Sequence, residues 1–113
     1  MTAKNTLIKA PPYQVEQAIQ RLGTNLRTAR LRRNLTIEEV GEKIGTGPRA
    51  VTDAEKGKIS TGIAVYTALL WVYDLLEPMN ELADPALDEE GLSLSLSKER
   101  TRARPRGELD NDF

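Results

Sequence analysis

The sequence predicts an all-α fold with one short strand near its C-terminal end. Three observations support this: apolar residues recur at intervals of three and four along two long segments, a helix-capping motif lies at residues 36–39, and prolines stand where helices begin. A chain of 113 residues has room for one small domain and a tail. We therefore expect five helices over residues 13–85, preceded by a flexible arm over residues 1–12.

The first helix is expected to begin near Tyr13, after Pro11 and Pro12, because proline is favoured in the first turn of a helix. Gly23 weakens the middle of this helix without breaking it. The apolar positions that share one stripe are Val15, Ile19, Leu22, Leu26 and Ala29.

The second and third helices are short but clearly marked. Thr36 and Glu39 form a capping box, in which each side chain accepts a hydrogen bond from the other residue's backbone N–H. Gly45 is a natural end for this second helix. Pro48 suits the first turn of a third helix, which is expected to end at about Glu55. Helices of this length are marginal alone, so we expect both to pack on their neighbours.

A fourth helix is expected after a cap at residues 60–62, and a short fifth helix between Pro78 and Asp84. The aromatic residues of the fourth helix are expected in the core or at a dimer interface: Tyr66, Trp71 and Tyr73.

Residues 92–96 are Leu-Ser-Leu-Ser-Leu, an alternation typical of a half-buried strand. Since no other segment can pair with such a strand, its partner would be the same strand of a second copy. The sequence thus predicts a homodimer whose shared ribbon lies within residues 86–97, with a disordered linker as the alternative. The charged residues 98–113 are expected to be disordered. The residues expected at the dimer interface are Leu92, Leu94, Leu96, Trp71, Leu75 and Leu76.

Charge is distributed unevenly along the chain. Residues 1–58 contain 11 Lys and Arg against 6 Asp and Glu, whereas residues 59–113 contain 5 against 11. Clustered positive charge is typical of a surface that binds a polyanion, although a solvated helix face gives the same pattern.

Composition excludes several function classes. The chain contains no Cys and no His, which excludes thiolate zinc sites, Cys nucleophiles and imidazole acid–base catalysis. We expect no enzyme activity, no cofactor and no metal site. The longest apolar run, residues 63–73, falls short of the roughly 20 residues that span a membrane, and a signal-peptide core is missing, so we expect a cytoplasmic protein.

Two short helices joined by a Gly-containing turn, after an Arg-rich helix, are typical of the helix-turn-helix, whose second helix enters the major groove of DNA. Residues 35–45, followed by Val51, Glu55 and Gly57, resemble the helix-turn-helix of phage-repressor-like (XRE) regulators. This resemblance covers about residues 22–75.

Three downstream segments are similar to HipB-type antitoxins, which are encoded beside HipA-type kinase toxins: residues 66–76, 81–85 and 91–92. The resemblance implies an antitoxin that binds a palindromic operator as a dimer, represses its own operon and associates with a HipA-like kinase. Two alternatives stay open: a protein-interaction module that inhibits or tethers a kinase, with DNA binding secondary, and a stand-alone regulator without a toxin partner.

The resemblance to phage-repressor-like regulators also implies the site residues. Arg49 is expected to contact base edges, since arginine suits guanine O6 and N7. Asp53 would need a cytosine amine or a bridging partner near phosphates. For Arg27, Arg32 and Arg33, a solvated helix face is the alternative to phosphate contact. The residues expected at the DNA interface are Arg49, Thr52, Asp53, Pro48, Thr46, Lys43, Lys56, Lys58, Arg27 and Arg33.

The same resemblance implies an internal ion pair between Arg30 and Glu55. The chain also departs from the pattern, because Ile37 stands where these regulators often carry a Gln that contacts a phosphate. Gly47 and Pro48 replace polar residues at the start of the third helix. Some of the usual phosphate contacts are therefore expected to be absent, and helix N-termini and nearby lysines are expected to hold phosphates instead.

Overall fold

The computed structural model of the chain describes residues 6–106, with side chains for residues 6–102, and all regular secondary structure in this part of the chain is helical. The all-α prediction is thus confirmed for the described residues. Six α-helices follow one another: α1 (Thr6–Lys9), α2 (Tyr13–Arg32), α3 (Ile37–Ile44), α4 (Pro48–Glu55), α5 (Ile63–Val72) and α6 (Glu89–Arg106). Two 3₁₀ helices, Glu77–Glu81 and Pro85–Leu87, precede α6. The chain divides into two compact units between Glu77 and Pro78.

The first unit is built around a core to which four helices, α2 to α5, each contribute. Burying one large apolar side chain stabilises the fold by about 1.5–3 kcal/mol, which is how helices as short as α3 and α4 are held in place. The side chains with the lowest exposure are Leu26, Val40, Val51, Leu69 and Tyr73, and Ala29, Ala54 and Tyr66 complete the core.

The start of α3 follows directly from the sequence. The Thr36 hydroxyl accepts a hydrogen bond from the Glu39 N–H at 3.0 Å, and the Glu39 carboxylate accepts one from the Thr36 N–H at 2.8 Å. This is the expected capping box. The structure also places the end of α3 before Gly45 and both ends of α4 where the sequence predicts them.

The predicted position of the α5 cap, residues 60–62, is confirmed, since Gly62 is the N-cap residue, although it has no side chain to accept a hydrogen bond. The predicted fifth α-helix is replaced by the two 3₁₀ helices. The first ends at Glu81, shortly before Ala83 at φ = +60°, and the second begins with Pro85, so the backbone interrupts the segment where a single α-helix would have to continue.

The predicted strand at residues 92–96 is also wrong, because these residues lie within α6. The Asp88 carboxylate accepts the Gly91 N–H at 3.0 Å, and the Asp88 carbonyl accepts the Leu92 N–H at 3.1 Å. Two glutamates in the first turn favour this helix end electrostatically. A helix pairs backbone groups within one chain, whereas a lone strand requires a second chain. The two-stranded ribbon built on this strand is withdrawn with it.

The terminal segments differ from expectation as well. Within the predicted arm, α1 is helical, and residues 1–5 lie outside the described residues. The helix α6 continues to Arg106, so residues 98–106 are helical rather than disordered, and residues 107–113 lie outside the described part. Among the described residues, no helix is both long and apolar enough to cross a lipid bilayer.

Candidate nucleic-acid interface

The turn between α3 and α4 is closed by two glycines. Gly45 lies at φ = +83°, a left-handed conformation that glycine adopts without strain. A Cβ atom on Gly41 would lie 2.9 Å from the Thr46 carbonyl oxygen, so a side chain there would displace the turn. The Thr46 N–H donates to the Gly41 carbonyl at 2.8 Å. The turn therefore holds α3 and α4 in a fixed relation.

The C-terminal end of α4 lies directly against α2. A Cβ atom on Gly23 would lie 2.5 Å from the Ala54 carbonyl oxygen and 2.7 Å from that of Glu55. In the same way, Gly57 at φ = +70° lies against the backbone of Gln20. Gly23 is thus the position at which two helices approach closely, and not only the weak point in α2 that the sequence suggested.

A buried ion pair links α2 to the end of α4. The Arg30 guanidinium donates to the Glu55 carboxylate through Nε at 2.7 Å and Nη2 at 3.0 Å, and through Nη1 to the Leu35 carbonyl at 3.0 Å. The two side chains are only 9% and 6% exposed. The hydrogen bonds to Glu55 raise the pKa of Arg30, against the lowering effect of burial. The pair implied by the resemblance is therefore present and structural.

The outer face of α4 carries the residues expected to face DNA. Val51 and Ala54 are fully buried and define the inner face of this helix. At 100° per residue, Arg49, Asp53 and Lys56 lie on the opposite side. The Arg49 side chain is 84% exposed, the most open of the charged side chains in ion pairs on this helix. The fold thus presents a polar helix face outward and anchors it from behind.

Asp53 lies between two cations. Its Oδ2 is 4.0 Å from Arg49 Nε and 3.7 Å from Lys58 Nζ, and its side chain is 24% exposed. The Tyr66 hydroxyl donates to the Lys58 carbonyl at 3.2 Å, which ties this segment to the core. Burial raises the pKa of Tyr66. Arg49 and Lys58 are therefore bridging partners of the kind that Asp53 was expected to need near phosphates.

The N-terminal end of α4 is open. Gly47 is its N-cap residue, Pro48 follows at the first position, and no described side chain caps this end. Backbone N–H groups at an uncapped helix start attract anions such as phosphate. Both residues are exposed, whereas Thr46 is half-buried in the turn. Ile37 packs against the core and is also half-buried.

The structure separates the arginines of α2. Arg27 is exposed and lies one turn after Gly23, on the row of α2 that faces α4. Arg33 instead donates to the carbonyls of Ala29 and Tyr73, both at 2.9 Å, and its guanidinium carbon lies 5.4 Å from the centre of the Tyr73 ring. Arg33 therefore links the ends of α2 and α5, and its phosphate contact stays a prediction.

The remaining predicted residues are placed as follows. Lys43 on α3 is exposed, as are Lys56 and Lys58, whereas Thr52 is half-buried beside the outer face of α4. Arg32 is exposed and lines a shallow groove with Leu75. 

The residues assigned to a dimer interface fall into two groups. Trp71 and Leu75 are 61% and 43% exposed in the first unit, and Leu76 is half-buried. Tyr66 and Tyr73, expected in the core or at an interface, are core residues. In the second unit, the three leucines of α6 are exposed: Leu92, Leu94 and Leu96.

Residues 21–82 match the family described as "Helix-turn-helix domain", and the match includes α3, the turn and α4. The chain belongs to this family. The match supports an XRE-like helix-turn-helix regulator that binds DNA. No curated protein and no solved structure matches the chain.

Two ion pairs of this helix-turn-helix protein, Asp53 with Arg49 and Asp53 with Lys58, were not predicted from its sequence. The i, i+4 spacing of Arg49 and Asp53 was available as a signal for a side-chain pair on one helix face. The contact of Asp53 with Lys58 had no such signal, because it depends on the turn at Gly57. 

Proposed function

We propose that this helix-turn-helix protein is a sequence-specific transcription regulator whose helix α4 enters the major groove of DNA. The division of α4 into two faces carries the proposal. Val51 and Ala54 fix the helix on the core, which leaves Arg49 and Asp53 outside. A major groove about 12 Å wide admits one α-helix, and an arginine in its first turn reaches guanine O6 and N7.

Contacts to the phosphate backbone would position α4 in the groove. The uncapped N-terminal end of α4 offers backbone N–H groups, and Lys56 and Lys58 lie at its other end. Lys43 on α3 and Arg27 on α2 are exposed and are further candidates for phosphate contact. Each such contact that is removed should reduce the salt dependence of binding by about one counterion.

We also propose that the protein binds DNA as a homodimer that pairs through α5. One recognition helix contacts few base pairs, whereas a dimer contacts two half-sites about one helical turn apart, roughly 34 Å. The outer side of α5 carries Ile63 and Trp71, which are 65% and 61% exposed, and no charged residue lies within this helix. An exposed tryptophan on an uncharged helix is a typical centre for such an interface.

Selection from a library of random DNA duplexes tests both proposals. The protein should enrich a two-fold symmetric sequence and bind it with a Kd of about 10⁻⁸ to 10⁻¹¹ M at physiological salt. Sedimentation should show a dimer for the wild type and a monomer for Trp71→Glu. Enrichment of no sequence would contradict DNA reading, and a monomeric wild type on an asymmetric site would contradict the dimer.

A second candidate function is the antitoxin of a HipBA-like pair, which represses its own operon and binds a HipA-like kinase. The support is the resemblance of residues 66–76, 81–85 and 91–92 to HipB-type antitoxins. The departures at Ile37, Gly47 and Pro48 instead favour the alternative in which the chain inhibits or tethers a kinase and DNA binding is secondary. Co-purification with a HipA-like kinase encoded beside the chain tests it. Kinase binding without duplex enrichment would favour the interaction module, and duplex enrichment without kinase binding would favour a stand-alone regulator.

A further inference from the structure

Asp53 is the only carboxylate on the outer face of α4 in the described part of the chain, and its position is fixed. Its backbone carbonyl accepts the Lys58 N–H at 3.0 Å, and the Lys58 carbonyl accepts the hydroxyl of buried Tyr66 at 3.2 Å. Gly57 at φ = +70° makes this return of the chain possible. The Asp53 carboxylate is therefore held on a segment that is anchored in the core.

The Arg49 side chain is more exposed and less restrained than that of Asp53. It is 84% exposed, against 24% for Asp53, and its Nε lies 4.0 Å from the carboxylate. An arginine that approaches a carboxylate through Nε keeps both terminal amino groups available, and these two groups match guanine O6 and N7. A long exposed side chain otherwise loses conformational entropy when it binds a base.

We propose that Asp53 is a positioning residue that orients Arg49 for guanine and thereby sets sequence preference. The inference rests on the proposed DNA-binding function of α4. Asp53 also repels phosphate and lies 3.7 Å from Lys58 Nζ, so it weakens non-specific attraction to DNA while it improves the geometry of Arg49. Weaker non-specific attraction and a better-oriented Arg49 both increase sequence specificity, although total affinity for DNA does not increase.

The proposal differs from direct recognition of a base by Asp53. A carboxylate that accepts from a cytosine amine would act independently of Arg49. A carboxylate that acts through Arg49 would lose its effect once Arg49 is removed. A double-mutant cycle on Arg49→Met and Asp53→Asn separates the two roles.

The experiment uses the full-length protein and duplexes taken from random selection. Asp53→Asn should bind random duplex more tightly and lose about two- to fivefold of its guanine preference, as expected from an exposed ion pair. In the Arg49→Met background, Asp53→Asn should leave base preference unchanged. Glu42→Gln is the control, since Glu42 is an exposed carboxylate on α3 and its change removes the same charge.

A measurement on the free protein separates failure of this inference from failure of DNA binding. The ¹⁵N order parameter of Arg49 Nε should fall in Asp53→Asn and stay unchanged in Glu42→Gln. An unchanged order parameter, or an effect on preference that persists in Arg49→Met, would overturn the positioning role. A wild type that binds no duplex would remove the proposed function, and the order parameter would then show whether Asp53 still restrains Arg49.

Discussion

Helix α4 carries two carboxylates, two residues apart, that are in contrasting environments. Glu55 lies inside, with two hydrogen bonds to Arg30 of 2.7 and 3.0 Å and a side chain only 6% exposed. Asp53 lies outside, at 4.0 and 3.7 Å from two exposed cations. An ion pair that is desolvated and hydrogen-bonded becomes costly to break, whereas an exposed pair contributes little to stability. One helix thus separates anchoring from recognition by the direction in which each side chain points.

Glu55→Ala is expected to produce the largest effect on stability. It leaves the Arg30 guanidinium buried and unpaired, which costs on the order of 3 kcal/mol. Urea denaturation followed by circular dichroism measures the loss, with Glu42→Ala as an exposed control that should change stability by less than about 0.5 kcal/mol. Equal, small losses in both variants would show that the inner pair does not anchor α4.

Gly23→Ala tests the close approach of α2 and α4. The added methyl group would meet the Ala54 carbonyl at 2.5 Å, and overpacking of this kind costs about 1–3 kcal/mol, even though alanine favours helix formation. Gly62→Ala is the control, since no atom lies within 4 Å of its added methyl group, and a cap change alone costs less than about 1 kcal/mol. A Gly23→Ala protein more stable than the wild type would contradict the packing described.

Arg49→Ala is expected to weaken DNA binding and leave stability unchanged, whereas Glu55→Ala is expected to lower stability. Arg49→Ala should weaken binding to a selected duplex by about 1–3 kcal/mol, because one bidentate contact to guanine is lost. Its thermal stability should match that of the wild type, since the side chain is 84% exposed. Fluorescence anisotropy and a melting curve on the same sample measure both effects. A loss of stability would show that Arg49, like Glu55, helps to hold α4 on the core.

Tyr73→Phe is expected to produce a small gain. The Tyr73 hydroxyl is buried without a hydrogen-bond partner among the described residues, and an unsatisfied buried hydroxyl is costly. We expect the variant to be as stable as the wild type, or more stable by up to about 1 kcal/mol. A clear loss of stability in urea denaturation would show that the hydroxyl has a partner.

The buried Tyr73 side chain is also expected to make the stability of the fold depend on pH. Burial, and next the charge of Glu55, raise the pKa of Tyr73 above its ordinary value of 10.0. Because the folded state favours the neutral phenol over its ionised form, this group costs no stability through ionisation below pH 10, and stability is lost as the pH rises through the folded-state pKa. The stability of the wild type should fall more steeply above pH 10 than that of Tyr73→Phe, and parallel curves would contradict the assignment.

The helix-turn-helix could be predicted from the sequence because its signals are local. The capping box at Thr36 and Glu39, the left-handed stop at Gly45 and the proline at position 48 each act within four residues. Local hydrogen bonds and local steric limits fix such elements before any tertiary contact is known.

The second unit was predicted less well because its pattern is ambiguous. Alternating Leu and Ser at residues 92–96 fits a strand, but the decisive contact is the Asp88 carboxylate on the Gly91 N–H, which starts a helix. The cap at Asp88 is a local signal that the alternation obscured, whereas contacts between residues far apart in the sequence had no local signal. Arg33 donates to a carbonyl 40 residues away, and nothing near Arg33 in the sequence distinguishes this role from a phosphate contact.

Dimethyl sulfate footprinting of the protein on a selected duplex tests the central claim most directly, because the reagent methylates guanine N7 in the major groove and adenine N3 in the minor groove. With α4 in the major groove, the wild type should protect guanine N7 at two positions related by a two-fold axis, and Arg49→Ala should lose that protection while keeping its fold. Protection of adenine N3 alone, or guanine protection that survives in Arg49→Ala, would contradict the account.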